Sequence, residues 1–494
     1  MGNAATFRRT ADYPRCNMLV LHDASARNID QTLYAEQVLP SYPESNRRRV
    51  STPAAGDRAK TARDGTLVRI LGVGFGLAVI VGSTLGVGIL RTPGLVAGQL
   101  SRPSTILAVW LVGGLYTLLG SVCLTELGTM LPQAGGYYVY ARRAFGDWAG
   151  FAVGWTDWLC YCAVLGYASI AIGEFSALLV PPLTSSIKWV AVGSLCFFTA
   201  LQWKGVRISS RAQELMTAVK CLAFLALVAA CFWYAGTLPA AGGEPSPIRA
   251  AAPALAGLVI ALESVVITYG GWQSALYFTE EDRDPDRNLP RSMIGGVLSV
   301  LVIYLLVNLA LLAVLSVPEL GRSTLAAAEA ARVIVGDRGS QLITLLSLIS
   351  LLPLLNAILM IGTRILFAMG RDRLLWHGAA VVHAGGTPAA AMLVTTAVAV
   401  VLIASGTFQN LVAMTSFFLA ANYCVSCLAL IFLRRREPHL RRPFRAWGYP
   451  WSAAIVLVGA AAFLAGVLLH DTRNSLMALG LLAAGLVGRS LFGK

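Results

Sequence analysis

Twelve apolar stretches constrain this chain more than any other feature. They lie at roughly 70–97, 104–131, 147–181, 187–203, 211–236, 253–280, 292–317, 339–370, 388–405, 408–433, 449–470 and 474–491. Most approach or exceed the ~20 residues needed to cross a bilayer core. Lipid offers the backbone no hydrogen-bonding partner, so such stretches are expected to be helices. The expected class is an all-α polytopic membrane protein with twelve transmembrane helices. Composition agrees: 56% of residues are hydrophobic and 13% charged, against about 25% charged in a soluble domain.

The net charge of +14 is distributed in a way that reads as orientation rather than nucleic-acid binding. With the N-terminus inside, the inner connections and the C-terminal end hold eighteen Lys or Arg, and the outer connections eight. That bias places both termini in the cytoplasm, and the expected location is the plasma (inner) membrane. Residues 1–69 carry eleven Lys or Arg and no apolar core of a signal peptide. They are expected to be a disordered cytoplasmic tail, with the membrane-embedded domain at 70–492. The longest outer connections, about 237–252 and 318–338, are rich in Ala, Pro and Gly, and neither is expected to fold as a domain.

Two of the apolar stretches are interrupted halfway. The first reads LGVGFGLAVIVGSTLGVGILRTPG, with Gly82, Gly86 and Gly88 clustered near its middle. The sixth runs into Thr268, Tyr269, Gly270 and Gly271 at a similar depth. Glycine weakens a helix by about 1 kcal/mol relative to alanine. Close helix packing is one reading, since Gly82 and Gly86 have small-xxx-small spacing. The other is unwinding, because stretches one and six hold corresponding places in two five-helix halves, the pattern of an inverted-repeat carrier with its site at the midplane. Freed N–H groups at a half-helix N-terminus attract a carboxylate, and freed carbonyls attract an ammonium. Two such breaks side by side suit an amino acid.

Four blocks resemble the amino acid–polyamine–organocation permeases: VGSTLGVGILRTPG with ELGTMLPQAGGYYVYARRAFG, then YGGWQSALYFTEEDRDPDRNLPRSM, NAILMIGTRILFAMGRD and LRRREPHLRRPFRAWGYP. The resemblance implies a five-plus-five inverted repeat with two extra C-terminal helices. It implies that Thr84, Leu85, Gly86, Val87 and Gly88 bind the substrate α-carboxylate, and that the backbone around Ile267, Thr268 and Gly270 binds its α-amino group. Two positions depart from the family pattern. Relatives often have a small residue in place of Val87, and exchangers often have an aromatic lid in place of Ile267.

Lys220 lies about 13 Å along its helix from Arg211 at 1.5 Å per residue, inside an otherwise apolar run. An ionisable residue at that depth is a functional candidate, with snorkelling to the inner surface as the alternative. Some similar permeases carry a lysine here whose ammonium replaces a bound sodium. The resemblance therefore implies sodium-independent transport, proton-coupled or by exchange. Glu263, two turns outside Gly270, either lines an outer vestibule, favouring a cation or a proton, or is a paired structural carboxylate. Glu126 is expected to be a gate or loop tether. Glu280 and Glu281 form with the arginines that follow them either an inner salt-bridge network or solvated charge, Arg364, Arg371 and Asp372 are expected at the same inner gate, and Asn356 and Asn422 are polar candidates near helix centres. Of the nine cysteines, eight lie in apolar runs and are expected to pack; Cys424 and Cys427 are spaced CxxC but at membrane depth. No metal site, cofactor or catalytic motif is expected, so the chain reads as a non-enzyme. The expected function is secondary active amino acid transport by alternating access, with the lipid bilayer, the substrate and possible protons as its partners. A polyamine antiporter and a non-transporting amino acid sensor are the alternatives.

Overall fold

A computed structural model describes residues 63–64, 66–237, 255–405 and 408–492. The expected tail lies almost wholly outside the described residues. Of its last part, Arg63–Asp64 forms a two-residue strand (β1) paired antiparallel with Val381–Val382 (β2). Among the described residues, every other regular element is helical. In chain order the α-helices are α1 (Val73–Thr84), α2 (Val87–Gln99), α3 (Pro103–Met130), α4 (Tyr137–Phe145), α5 (Asp147–Leu179), α6 (Ile187–Trp203), α7 (Val206–Thr237), α8 (Leu255–Thr268), α9 (Pro285–Val314), α10 (Val317–Arg322), α11 (Ala326–Val335), α12 (Arg338–Arg371), α13 (Ala389–Ser405), α14 (Phe408–Arg436), α15 (Trp451–His470) and α16 (Thr472–Phe492). A 3-10 helix, Trp272–Phe278, follows α8.

Among the described residues, nine helical stretches are long and apolar enough to cross a membrane, and the bent pair α1–α2 makes a tenth. Two shorter apolar helices, Ala389–Ser405 and Thr472–Val487, complete the set. The chain is thus a multi-pass helical membrane protein, and each apolar stretch read in the sequence carries a helix or a broken helix. Helix starts follow local chemistry. Pro103 and Pro285 sit at the first helical position of α3 and α9, where the missing N–H costs nothing. The connection from α9 to α12 is more ordered than its composition suggested. A capping box at Ser316 and Glu319 starts α10. In α11 the alanines at 326, 327, 330 and 331 are buried, one face of an alanine-rich and therefore strongly helix-forming segment. The other long connection, about 237–252, lies largely outside the described residues.

At the end of the bundle where α12 finishes, several charged residues are matched in pairs. Arg364 donates from Nε and Nη2 to the two carboxylate oxygens of Glu281, both at 3.0 Å, and both side chains are almost wholly buried. Arg371 bonds Glu280 at 2.7 Å, and Glu280 also accepts the Ala134 N–H at 2.9 Å. Asp372 takes the Tyr138 hydroxyl at 2.8 Å and pairs with Arg142. Glu126, fully buried, is gripped by Arg434 through both oxygens, by Arg442 at 3.3 Å and by the Ala446 N–H at 2.7 Å. Glu281 is therefore paired rather than solvated, but with Arg364 of α12 and not with the arginines that follow it, and Glu126 joins α3 to Arg434 of α14 and to the connection from α14 to α15. Backbone bonds add to the seal: Ile70 and Leu71 donate to Glu281 O at 3.0 Å, and Arg283 donates to Leu71 O at 3.1 Å. These join the stretch entering α1 to the stretch leaving the 3-10 helix.

Removing one member of a buried ion pair costs about 3–5 kcal/mol, because the other is left uncompensated. Arg364→Met is therefore expected to lower the midpoint of thermal unfolding in detergent clearly, and adding Glu281→Gln is expected to recover part of the loss. An unchanged midpoint in the single variant would refute the pairing.

Candidate functional site

The first helix stops at Thr84 and restarts at Val87 with a 46° bend. Leu85 and Gly86 are extended, so the carbonyls that close α1 and the amides that open α2 lose their helical partners. The second break has the same character. After Thr268 the Gly270 N–H turns back to Ile267 O at 2.9 Å, and Gly271 takes φ = +113°. That is left-handed backbone, open to glycine at little cost. A side chain on Gly271 would also stand 2.8 Å from the carbonyl of Ser83, so the second break rests on the Ser83–Thr84 peptide of the first. The breaks meet again where Thr92 and Thr268 share a hydrogen bond at 2.8 Å. A Cβ on Gly88 would lie 3.1 Å from Thr268 Cγ2.

Side chains from two other helices satisfy the carbonyls freed at α1. Lys220, wholly buried on α7, donates from Nζ to Gly82 O at 2.8 Å and to Leu85 O at 2.6 Å. It does not snorkel. It belongs to a polar row spaced i, i+4, i+7 on α7: Gln213 and Thr217 both donate to Ala78 O, at 3.3 and 3.0 Å. Gly82 lets that row approach, since a Cβ there would stand 2.7 Å from Thr217 Oγ1. Asn356 on α12 extends the row, donating to Gln213 Oε1 at 2.9 Å. From α9, the buried Tyr304 hydroxyl lies 2.7 Å from Thr84 O and 2.9 Å from Thr268 O. Its one proton is divided between the terminal carbonyls of both broken helices.

What the breaks leave open is equally definite. Gly88 is exposed, Gly86, Val87, Gly270 and Gly271 are partly so, and Ile267 is 44% exposed. Leu85 is buried, and the buried Thr84 Oγ1 has no hydrogen-bond partner among the described residues. Glu263 is placed elsewhere. It is half-buried and lines a largely apolar groove of about 360 Å³ with Tyr116 of α3 and Phe463 of α15.

A second polar cluster lies beside the 3-10 helix. Asp157 on α5, 1% exposed, accepts the Tyr277 hydroxyl at 2.8 Å and the Asn422 amide at 3.2 Å. Gln273 accepts the Gly271 N–H at 3.3 Å and the Tyr423 hydroxyl at 3.1 Å. Sequence reading found Lys220 and Asn422 but not Tyr304, Gln213 or Asp157. Polar spacing along α7 was a usable signal for Gln213. Asp157, in the run GWTDWLCYC, is an acidic residue at membrane depth and could have been found by the rule that found Lys220. A tyrosine in an apolar helix carries no such mark.

Loss of the Lys220 ammonium strands two buried carbonyls, each at a cost of about 1–3 kcal/mol. Lys220→Met is expected to speed amide hydrogen exchange across residues 81–89 relative to the parent protein. Equal rates in the two proteins would count against the tether.

Comparison with known proteins agrees with this architecture. The amino acid permease family model matches residues 76–486. The chain is 27% identical over 432 residues to the serine/threonine exchanger SteT of Bacillus subtilis (strain 168), covering 86% of this chain and 96% of that one. It is 29% identical over 392 residues to the Asc-type amino acid transporter 1 of Mus musculus, covering 77% and 73%. It is 27% identical over 396 residues to the b(0,+)-type amino acid transporter 1 of Homo sapiens, covering 77% and 79%. With a broken first helix tethered by a buried lysine and a match over most of its length, the chain belongs to the amino acid permease family.

Proposed function

We propose that this protein is a secondary carrier that moves an amino acid across the plasma membrane by alternating access. In this reading it has twelve crossings, the first ten forming a five-plus-five inverted repeat, and both termini lie in the cytoplasm. The observation that carries the reading is the contact between two unwound stretches whose peptide groups remain partly exposed at membrane depth. Irregular backbone at that depth is tolerated where it lines a cavity or is buried in protein. The substrate carboxylate sits at the N-terminus of α2, on the amides from Gly86 to Gly88, with the unpartnered Thr84 hydroxyl beside it. The ammonium sits against the carbonyls around Ile267 and Thr268, with Gly270 giving it room. Leu85 shapes the bend from below.

The side chains exposed at the breaks, Val87 and Ile267, are aliphatic, which favours a neutral amino acid over a polyamine. Serine and threonine are the first candidates, from the name of the Bacillus relative. Sodium is not required in this reading, because the Lys220 ammonium already holds the carbonyls of Gly82 and Leu85 that a cation would otherwise take. The paired charges at the inner end act as the closed gate, with Glu126 as a standing tether of α3. Glu263, in its groove between α3, α8 and α15, stays outside the substrate path.

Counterflow tests the proposal. Proteoliposomes loaded with unlabelled serine or threonine, in sodium-free buffer, are expected to take up the labelled amino acid transiently above equilibrium. Stabilisation by an amino acid without counterflow would mean a sensor, and counterflow only with sodium would overturn the role given to Lys220. Gly88→Val is expected to weaken the ligand at least about tenfold, or 1.4 kcal/mol, in a thermal-shift titration. An unaltered titration would remove the α2 terminus from the site.

A further inference from the structure

Asp157 poses a problem that the carrier reading does not solve. It lies ten residues into α5, about 15 Å from the inner end of that helix at 1.5 Å per residue, and is 1% exposed. A buried carboxylate is balanced by a cation or loses its charge to a proton. Among the described residues Asp157 forms no ion pair. Its partners, the Tyr277 hydroxyl and the Asn422 amide, are both neutral donors.

Among the described residues no Lys or Arg of the surrounding helices pairs with Asp157, and those that form ion pairs have other partners. On α4, Arg142 pairs with Asp147 and Asp372, and Arg143 with Glu437. On α12, Arg364 is matched by Glu281 and Arg371 by Glu280. On α14, Arg434 is committed to Glu126, and Arg435 and Arg436 lie in the last turn of the helix, 13 and 14 residues beyond Asn422. The sole charged residue of α6, Lys188, bonds Ala404 O at the far end of that helix, and α13 has no charged residue. Arg489 of α16 bonds Asp147 O and lies over Trp148 at the inner rim. The other titratable groups around the carboxyl are Cys160 and Tyr161 of α5, Tyr137 of α4, Tyr277 of the 3-10 helix and Tyr423 of α14.

The position of Asp157 gives the missing counter-charge a use. Tyr277 belongs to the 3-10 helix that continues from the second break, and its ring packs edge-on against Tyr161 at 5.3 Å. The Tyr161 hydroxyl lies 3.5 Å from the Gln273 amide, and Gln273 in turn caps the Gly271 N–H. A run of polar groups therefore leads from the partly exposed break to a carboxyl with no cation.

We propose that Asp157 is the proton-binding site of this carrier, linked through Tyr277, Tyr161 and Gln273 to the unwound stretch at Gly271. The inference rests on the carrier reading and extends it by naming the coupled ion and its residue. A proton arriving by way of the break forms an O–H bond on the carboxylate of Asp157. The neutral carboxyl gains a donor where the carboxylate could only accept, and the contacts with Tyr277 and Asn422 readjust to seat it. The 3-10 helix moves with them, and the proton is released to the opposite side when the carrier turns over. One proton accompanies one amino acid.

The test uses the full chain in proteoliposomes with labelled serine or threonine, beginning with counterflow at equal pH on both sides. Counterflow failing for the parent protein breaks the carrier reading, and infrared difference spectra then still report on Asp157. For the parent protein an inward proton gradient of one pH unit is expected to drive accumulation of up to about tenfold. Asp157→Asn is expected to keep counterflow and lose the response to the gradient, and Asp157→Glu to keep both. Tyr277→Phe, which leaves the carboxyl in place, is expected to move the midpoint of the pH profile. Infrared difference spectra on raising pH are expected to show loss of a protonated carboxyl band in the parent protein and no such band in Asp157→Asn. If Asp157→Asn does not fold, the Tyr277→Phe profile and the parent spectra decide. A gradient response retained in Asp157→Asn overturns the proposal. So does a pH-independent parent protein, or a parent spectrum without the band.

Discussion

A helix that stops inside a membrane must find partners for its last carbonyls, and the centre of this structure is arranged around that demand. The ammonium of Lys220 takes Gly82 O and Leu85 O, and the hydroxyl of Tyr304 lies between Thr84 O and Thr268 O. Both donors come from helices that are themselves unbroken, α7 and α9. The irregular backbone is therefore held from outside, and the breaks keep a defined shape while their remaining peptide groups stay partly exposed. Without those donors, orphaned carbonyls at this depth would favour closing the helix.

The same logic explains how the two breaks are kept together. Gly271 rests on the peptide between Ser83 and Thr84, Thr92 bonds Thr268, and Tyr304 touches both helix ends. Displacing one break therefore disturbs the other. At one end of the bundle the chain entering α1 and the chain leaving the 3-10 helix are joined through Glu281 O and Leu71 O, and the Glu281 side chain is held by Arg364 of α12. Opening this end exchanges a buried, bidentate ion pair for water.

Much of this was legible in the residues. Apolar length marked the membrane helices, glycine clusters marked both breaks, and an isolated lysine in an apolar run marked the tether of the first. Each of those signals is local. Glu281 and Arg364 could not be assigned from local signals, because 83 positions of sequence lie between them and a charged loop looks the same solvated or buried. Tyr304 was invisible for a related reason: a hydroxyl reveals its role only through the carbonyls it faces. Glu263 and Asp157 are the instructive pair. Both are acidic residues in apolar helices, one found in a groove among α3, α8 and α15 and the other enclosed beside the 3-10 helix, and helical position alone did not distinguish them.

The sequence by itself determined that this chain lives in a membrane, where its helices fall and where two of them break, because hydrophobic length and glycine content act through the backbone within a few residues. Tertiary structure alone decided which buried charge meets a partner and which does not. Ammonium, carboxylate and hydroxyl groups interact over a few ångströms, and only folding brings α1, α7, α8 and α9 within that distance.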